Sequence, residues 1–224
     1  ILSAGSAIDL SWGAEHVPAI LDSWYPGARG GKAVAEALFG DYAPNGKLPV
    51  TFYQGTENLP EFTDYSMAGR TYRYTDKNIL YPFGYGLTYG TISYSGAKTE
   101  QETSAVLDDV TVCTKVKNES AYPLHESVEV YVKYKNAQPG EPGFQLKGIA
   151  CVELQAGEEK EVSVTLHARD FAVITEDGGC AVRPGEYEIS IGGQQPGERS
   201  RALTGRETEI LTVRKEGNEE NVEY

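Results

Sequence analysis

The sequence predicts a partial α/β layer, a parallel sheet with one helix, followed by an all-β antiparallel sandwich. Three observations carry that reading. Residues 24–52, WYPGARGGKAVAEALFGDYAPNGKLPVTF, put a glycine turn, an alanine-rich helix, a second turn and a strand close together. Preceded by a strand, that order suggests a parallel α/β layer. From residue 105 onward nearly every apolar run has period two with turns between, the signature of a sandwich. Between the two parts, Ser95–Ser104 is polar and aperiodic and reads as a linker.

Taken in order, Ile1–Leu2 reads as the tail of a strand that begins upstream. Ala19–Trp24 reads as a short buried strand, because Ile20 and Leu21 sit together and Gly27 ends the run. Gly30 and Gly31 lead into a helix through about Phe39, with Ala33, Val34, Ala37 and Leu38 on one apolar face. Gly40 fits the left-handed position that ends a helix. Asn45-Gly46 makes a turn, and Leu48–Phe52 is strand-like. After the linker, Val106–Lys117 alternates, with Val106, Val110, Val112 and Val116 on its apolar positions. Val128–Tyr134 and Leu146–Leu154 follow. Val162, Val164 and Leu166 share one face of another strand, Tyr187, Ile189 and Ile191 one face of a later one, and Ile210–Val213 supplies the last. Pro184-Gly185-Glu186-Tyr187 places a tyrosine at a strand start, where a tyrosine corner sits. The charged residues 214–224 are expected to fray. The expected units are therefore 1–94, a linker at 95–104, a sandwich at 105–213 and a tail at 214–224.

Composition narrows the function. A chain of 224 residues builds one or two cores. At 40% hydrophobic and 24% charged residues it is neither disordered nor membrane-spanning. No apolar run approaches the roughly 18 residues of a spanning helix. The net charge of −13 argues against a nucleic-acid partner, since phosphates would be repelled. Cys113, Cys151 and Cys180 are far apart, with no CxxC pair and no histidine nearby, which excludes the usual zinc spacings. The apolar neighbours of Cys113 and Cys151 suggest buried, reduced thiols and point toward a cytoplasmic compartment. Ile1 lies inside an apolar run with no initiator methionine. The true N-terminus, and with it any export signal, is expected upstream.

Two motifs invite a chemical reading. The turn Gly27-Ala28-Arg29-Gly30-Gly31 precedes a helix, where free N–H groups attract anions. Its spacing matches neither GxGxxG nor GxxxxGK(S/T), so close helix-on-strand packing accounts for it. Residues 67–89, MAGRTYRYTDKNILYPFGYGLTY, are dense in aromatics, with Arg70 and Arg73 among them. Aromatic faces pack on the C–H face of a sugar ring, and arginine binds hydroxyls or carboxylates. The same pattern also suits a long segment pinned by aromatic anchors across a domain junction. Glu15, Asp22, Asp41 and Asp64 lie near turns or helix ends, where capping accounts for them. His16, His125 and His167 are separated and accompany no nucleophile motif.

Several motifs in order resemble glycoside hydrolase family 3: LSAGSAIDLSW, VPAIL with WYPGARGGKAVAEALFGDYAPNGKLPVTF, GRTYRYTD and LYPFGYGLTY. QLKGIACVELQAGEEKEVSVTL and RPGEYEISIGG look like that family's fibronectin type III-like domain. The resemblance implies the end of the family's α/β sandwich domain followed by the complete fibronectin-like sandwich. It implies an exo-acting retaining enzyme for terminal β-linked glucose or xylose, without cofactor or metal. Retaining chemistry needs two carboxyls about 5–5.5 Å apart. In the family the nucleophile is an aspartate on a (β/α)8 barrel and the acid/base a glutamate earlier in the α/β domain, so no catalytic residue is expected in this chain. Arg70, Tyr72 and Arg73 are the candidate substrate-binding residues, in a segment that returns toward the barrel. The expected partners are a β-linked oligosaccharide or glycoside and that barrel. A non-catalytic carbohydrate-binding or structural module is the alternative, and a barrel placed after these domains is a further one.

Overall fold

The computed structural model describes residues 1–57, 59–175 and 177–223. Four helices are seen among them: α1 (Ser11–His16), α2 (Gly30–Phe39), α3 (Thr71–Tyr74) and α4 (Glu198–Thr204). The strands are β1 (Phe52–Tyr53), β2 (Ile79–Tyr81), β3 (Ile92–Thr99), β4 (Thr103–Ala105), β5 (Val110–Asn118), β6 (Leu124–Tyr134), β7 (Gln145–Leu154), β8 (Glu159–Leu166), β9 (Val173–Ile174), β10 (Cys180–Val182), β11 (Gly185–Gly192), β12 (Glu209–Glu216) and β13 (Glu220–Asn221).

The sandwich follows from period-two burial. A five-stranded sheet, β4-β12-β11-β6-β7, faces a three-stranded sheet, β3-β5-β8. Their inner faces share one core, in which Val110, Val112, Val116, Leu166, Ile189 and Val213 are buried. All strand pairs are antiparallel except the parallel β12–β4 pair. The tyrosine corner is present: the Tyr187 hydroxyl donates to the Arg183 carbonyl at 2.8 Å. A smaller sheet, β13-β10-β9, packs at one end.

The first region departs from the sequence reading. Helix α2 forms as expected, and Gly40 ends it at φ 83°. Among the described residues the parallel sheet is reduced to one parallel bridge, Leu2 with Asp22, between the two expected strands. The expected Leu48–Phe52 strand survives only as the two-residue β1, paired antiparallel with β2. Of the expected helix face, Ala37 is buried and Leu38 is 56% exposed, and the terminal Phe39 beside it is 85% exposed.

The expected linker also differs. Residues 95–104 contribute to β3 and β4, which are edge strands of the two sandwich sheets. An edge strand has one face in solvent and one row of unpaired backbone groups, so polar composition suits it. The expected frayed tail is docked: β12 runs to Glu216 and β13 pairs with β10, while Tyr224 lies outside the described residues. Lys215 is fully buried, with its ammonium over the Phe171 ring and donating to the carbonyls of Ala105 and Asp108. The three cysteines are free, but of the two expected to be buried Cys113 is only half-buried and Cys151 is exposed, because it occupies an outward position of β7 opposite Ser127.

Candidate functional site

The candidate segment is positioned by local strain and by aromatic packing. Thr71 has a φ of 54°. A β-branched residue there is strained by roughly 1–3 kcal/mol. Its N–H donates to the Tyr53 hydroxyl at 2.8 Å, and its Oγ1 accepts the Arg73 N–H at 3.4 Å. That turn sends the neighbouring arginines different ways. Arg70 points back and clasps its own loop: Nη2 donates to the carbonyls of Glu61 at 2.9 Å and Asp64 at 2.7 Å.

Tyr72 points toward the sandwich. Its ring stacks on Phe83 at 4.0 Å between centroids and meets Tyr131 edge-on at 6.2 Å. Its hydroxyl accepts the Leu146 N–H at 3.1 Å, tying α3 to β7. Arg73 is exposed, with its guanidinium 5.8 Å from the Tyr72 ring centre. Tyr72 and Arg73 are therefore brought together, while Arg70 is engaged one turn away.

A cleft of about 400 Å³ opens here, lined by Val50, Tyr53, Met67, Tyr72, Arg73 and Phe83 among others. Its walls are mainly apolar and aromatic, with one cation. It suits the C–H face of a sugar ring, with arginine donors for hydroxyls. Among the described residues no carboxylate lines it. Its described lining supplies no acid–base pair for bond cleavage.

A second polar cluster, unforeseen from sequence, lies at the junction of the two regions. Glu126 and Glu129 of β6 are 4% and 3% exposed. Lys47 Nζ and the Tyr94 hydroxyl donate to Glu126 Oε1 at 3.3 and 2.9 Å. The Tyr131 hydroxyl donates to Glu129 Oε2 at 2.8 Å. Burial, with Glu126 adding to it, pushes the Glu129 carboxyl up to about 7 against the opposing pull of Tyr131 and Lys47. Gly84, at φ 72°, presses its backbone against this pair, where a Cβ would collide with the Tyr131 hydroxyl and the Glu129 carboxylate. So enclosed, the pair is closed to a glycoside and joins the regions. The available signal was two acids inside the apolar run of HESVEVYVKY.

The remaining candidates are structural. Asp22 Oδ1 accepts the Trp24 N–H at 3.0 Å, while its Oδ2 is buried without a partner. Asp64 accepts the Ser66 N–H at 2.8 Å. His16 stacks on Trp12, and His167 pairs with Asp109 at 2.9 Å. Among the described residues no cluster has the composition of a metal site, and no helix is long and apolar enough to cross a membrane.

Residues 1–89 match the glycosyl hydrolase family 3 C-terminal domain, and residues 126–195 match the fibronectin type III-like domain. Over 191 residues the chain is 41% identical to a xylan 1,4-β-xylosidase of Xylanibacter ruminicola, covering 84% of this chain and 22% of that protein. It is 36% identical to an exo-α-(1→6)-L-arabinopyranosidase of Bifidobacterium longum, covering 86% of the chain and 27% of the relative. A β-glucosidase structure from Erythrobacter marinus superposes with a TM-score of 0.80 at 31% identity, over 96% of this chain and 27% of that one. The chain thus spans about a quarter of the length of these relatives. It belongs to glycoside hydrolase family 3, of which it carries the C-terminal domain and the fibronectin type III-like domain.

Proposed function

We propose that this chain is the C-terminal part of a retaining, exo-acting β-glycosidase that removes terminal β-linked glucose or xylose. In this reading both catalytic carboxylates lie outside the chain. The observation that carries it is the distribution of apolar surface. Among the described residues, fifteen of the twenty exposed large apolar side chains lie in residues 1–89. Trp12, Tyr25, Phe39, Phe62 and Tyr65 are among them. A surface of that kind marks a contact site, and a (β/α)8 barrel bearing an aspartate nucleophile is the occupant we assign to it. Tyr72 and Arg73 then wall the sugar site through the aromatic cleft, and Arg70 holds the loop behind them. The sandwich at 105–213 buttresses the assembly.

The test has two arms. The purified chain should not hydrolyse 4-nitrophenyl β-glucoside or β-xyloside, and measurable turnover would overturn the placement of the carboxylates. In the full-length gene product, Tyr72→Ala and Arg73→Ala should raise KM, with Arg70→Ala acting more weakly through its loop. Unchanged KM and kcat in all three would remove the wall role. Micromolar binding of a neutral disaccharide by the chain alone would instead favour a carbohydrate-binding module.

A further inference from the structure

Arg73 also borders a second cleft, of about 470 Å³, on its other side. Four separate elements meet there. Arg73 comes from α3, Lys147 from β7, Arg169 and Asp170 from the 3-10 turn Ala168–Phe171, and Glu141 from the loop before β7. The loop is held in place by the Gly143 N–H, which donates to the Arg73 carbonyl at 2.7 Å.

The charges of this cleft do not balance within it. Glu141 is already spent on Arg183, at 2.6 Å, and on the Gln138 N–H, at 2.8 Å. Asp170 accepts the His167 N–H at 2.8 Å in the turn it closes. Among the described residues, Arg73, Lys147 and Arg169 make no ion pair with a carboxylate. Three cations therefore converge on one concavity of a chain whose net charge is −13. Burial holds the Lys147 ammonium below its ordinary pKa; Asp170 opposes that, and Arg73 adds to it. An anion seated between them would relieve both the desolvation and the mutual repulsion. The rest of the lining sets its class. Gln145 offers an amide for hydroxyls and Tyr74 an aromatic ring, beside guanidinium forks that suit a planar carboxylate.

We propose that this cleft is a binding site for a carboxylate-bearing sugar, a uronic acid residue, separate from the aromatic cleft that walls the glycoside site. Lys147 and Arg169 line only this cleft, so its occupancy is read through residues the other does not share.

Calorimetric titration of the 224-residue chain with methyl β-glucuronide, methyl β-glucoside and inorganic phosphate tests it. The glucuronide should bind at least about tenfold more tightly than the glucoside, the difference one charge-assisted bidentate contact supplies. Added salt should weaken it. Arg169→Gln, at an exposed position, and Lys147→Met, which keeps the aliphatic stem packed, should each weaken it about tenfold with an unchanged urea midpoint. If Lys147→Met lowers the midpoint, Arg169→Gln alone decides. Equal binding of glucuronide and glucoside, no effect of Arg169→Gln, or tighter binding of phosphate than of glucuronide would overturn the proposal. None of these results bears on the wall role of Tyr72, which the KM measurements test.

Discussion

Residues 1–89 and the sandwich that follows handle apolar surface in opposite ways. Among the described residues, only Ala37, Phe52, Ile79 and Leu80 of the 27 buried apolar ones lie in the first region, yet it carries most of the exposed ones. The sandwich closes on itself, because two sheets with period-two faces need only each other. Among its described residues the first region has one amphipathic helix and two short β contacts, and its apolar face meets solvent. Amphipathic patterning thus reports that a face is suited to cover. It does not report whether the cover belongs to the same unit.

The comparison breaks most sharply at the sandwich core. Ile189→Ala, at a fully buried site, should cost about 2–5 kcal/mol in urea unfolding. A loss under about 1 kcal/mol would mean that the sandwich core is no better packed than the first region.

The junction gives the next largest effect, and it depends on pH. Folded Glu129 keeps its proton up to about 7, whereas the unfolded chain releases it near the ordinary glutamate value of 4.5. The folded state binds the extra proton between those values, so this group's contribution is full below the lower one. It falls as pH rises toward the upper one, by roughly 3 kcal/mol in all. Glu129→Gln should flatten that decline in urea midpoints measured from acid to neutral pH. An unchanged slope would place the carboxyl in a wetter site than its 3% exposure implies.

Smaller effects sharpen the contrast. Tyr72→Phe removes the acceptor for the Leu146 N–H and should cost about 1 kcal/mol of stability, with the ring stack on Phe83 retained. Phe39→Ser, on the uncovered helix face, should change the chain's stability by less than about 0.5 kcal/mol and reduce light scattering on concentration. A large destabilisation by Phe39→Ser would show that this face packs within the chain.

Much of the sandwich was legible beforehand. Val110, Val112, Val162, Val164, Ile189 and Ile191 all face inward as their alternation requires, and Tyr187 forms its corner. Helix α2 and its Gly40 cap were legible for the same reason: both depend on neighbours within a few residues. Of the candidate site, the spacing of Arg70, Tyr72 and Arg73 was visible. That Arg70 clasps Glu61 and Asp64 while Arg73 stands open was not, because the left-handed Thr71 sets their directions.

By itself, the sequence determined which residues alternate, where the helix stops and which domains the chain contains, since these rest on local periodicity and on motif order. Only the tertiary structure decided the fate of its polar segments. Residues 95–99 and 103–104 became parts of edge strands, Lys215 was buried over Phe171, and Glu126 and Glu129 were enclosed by Lys47, Tyr94 and Gly84. A polar residue enters a core only where distant partners satisfy it. Those partners, up to 110 positions away for Lys215 and 79 for Glu126, leave no trace in the local pattern.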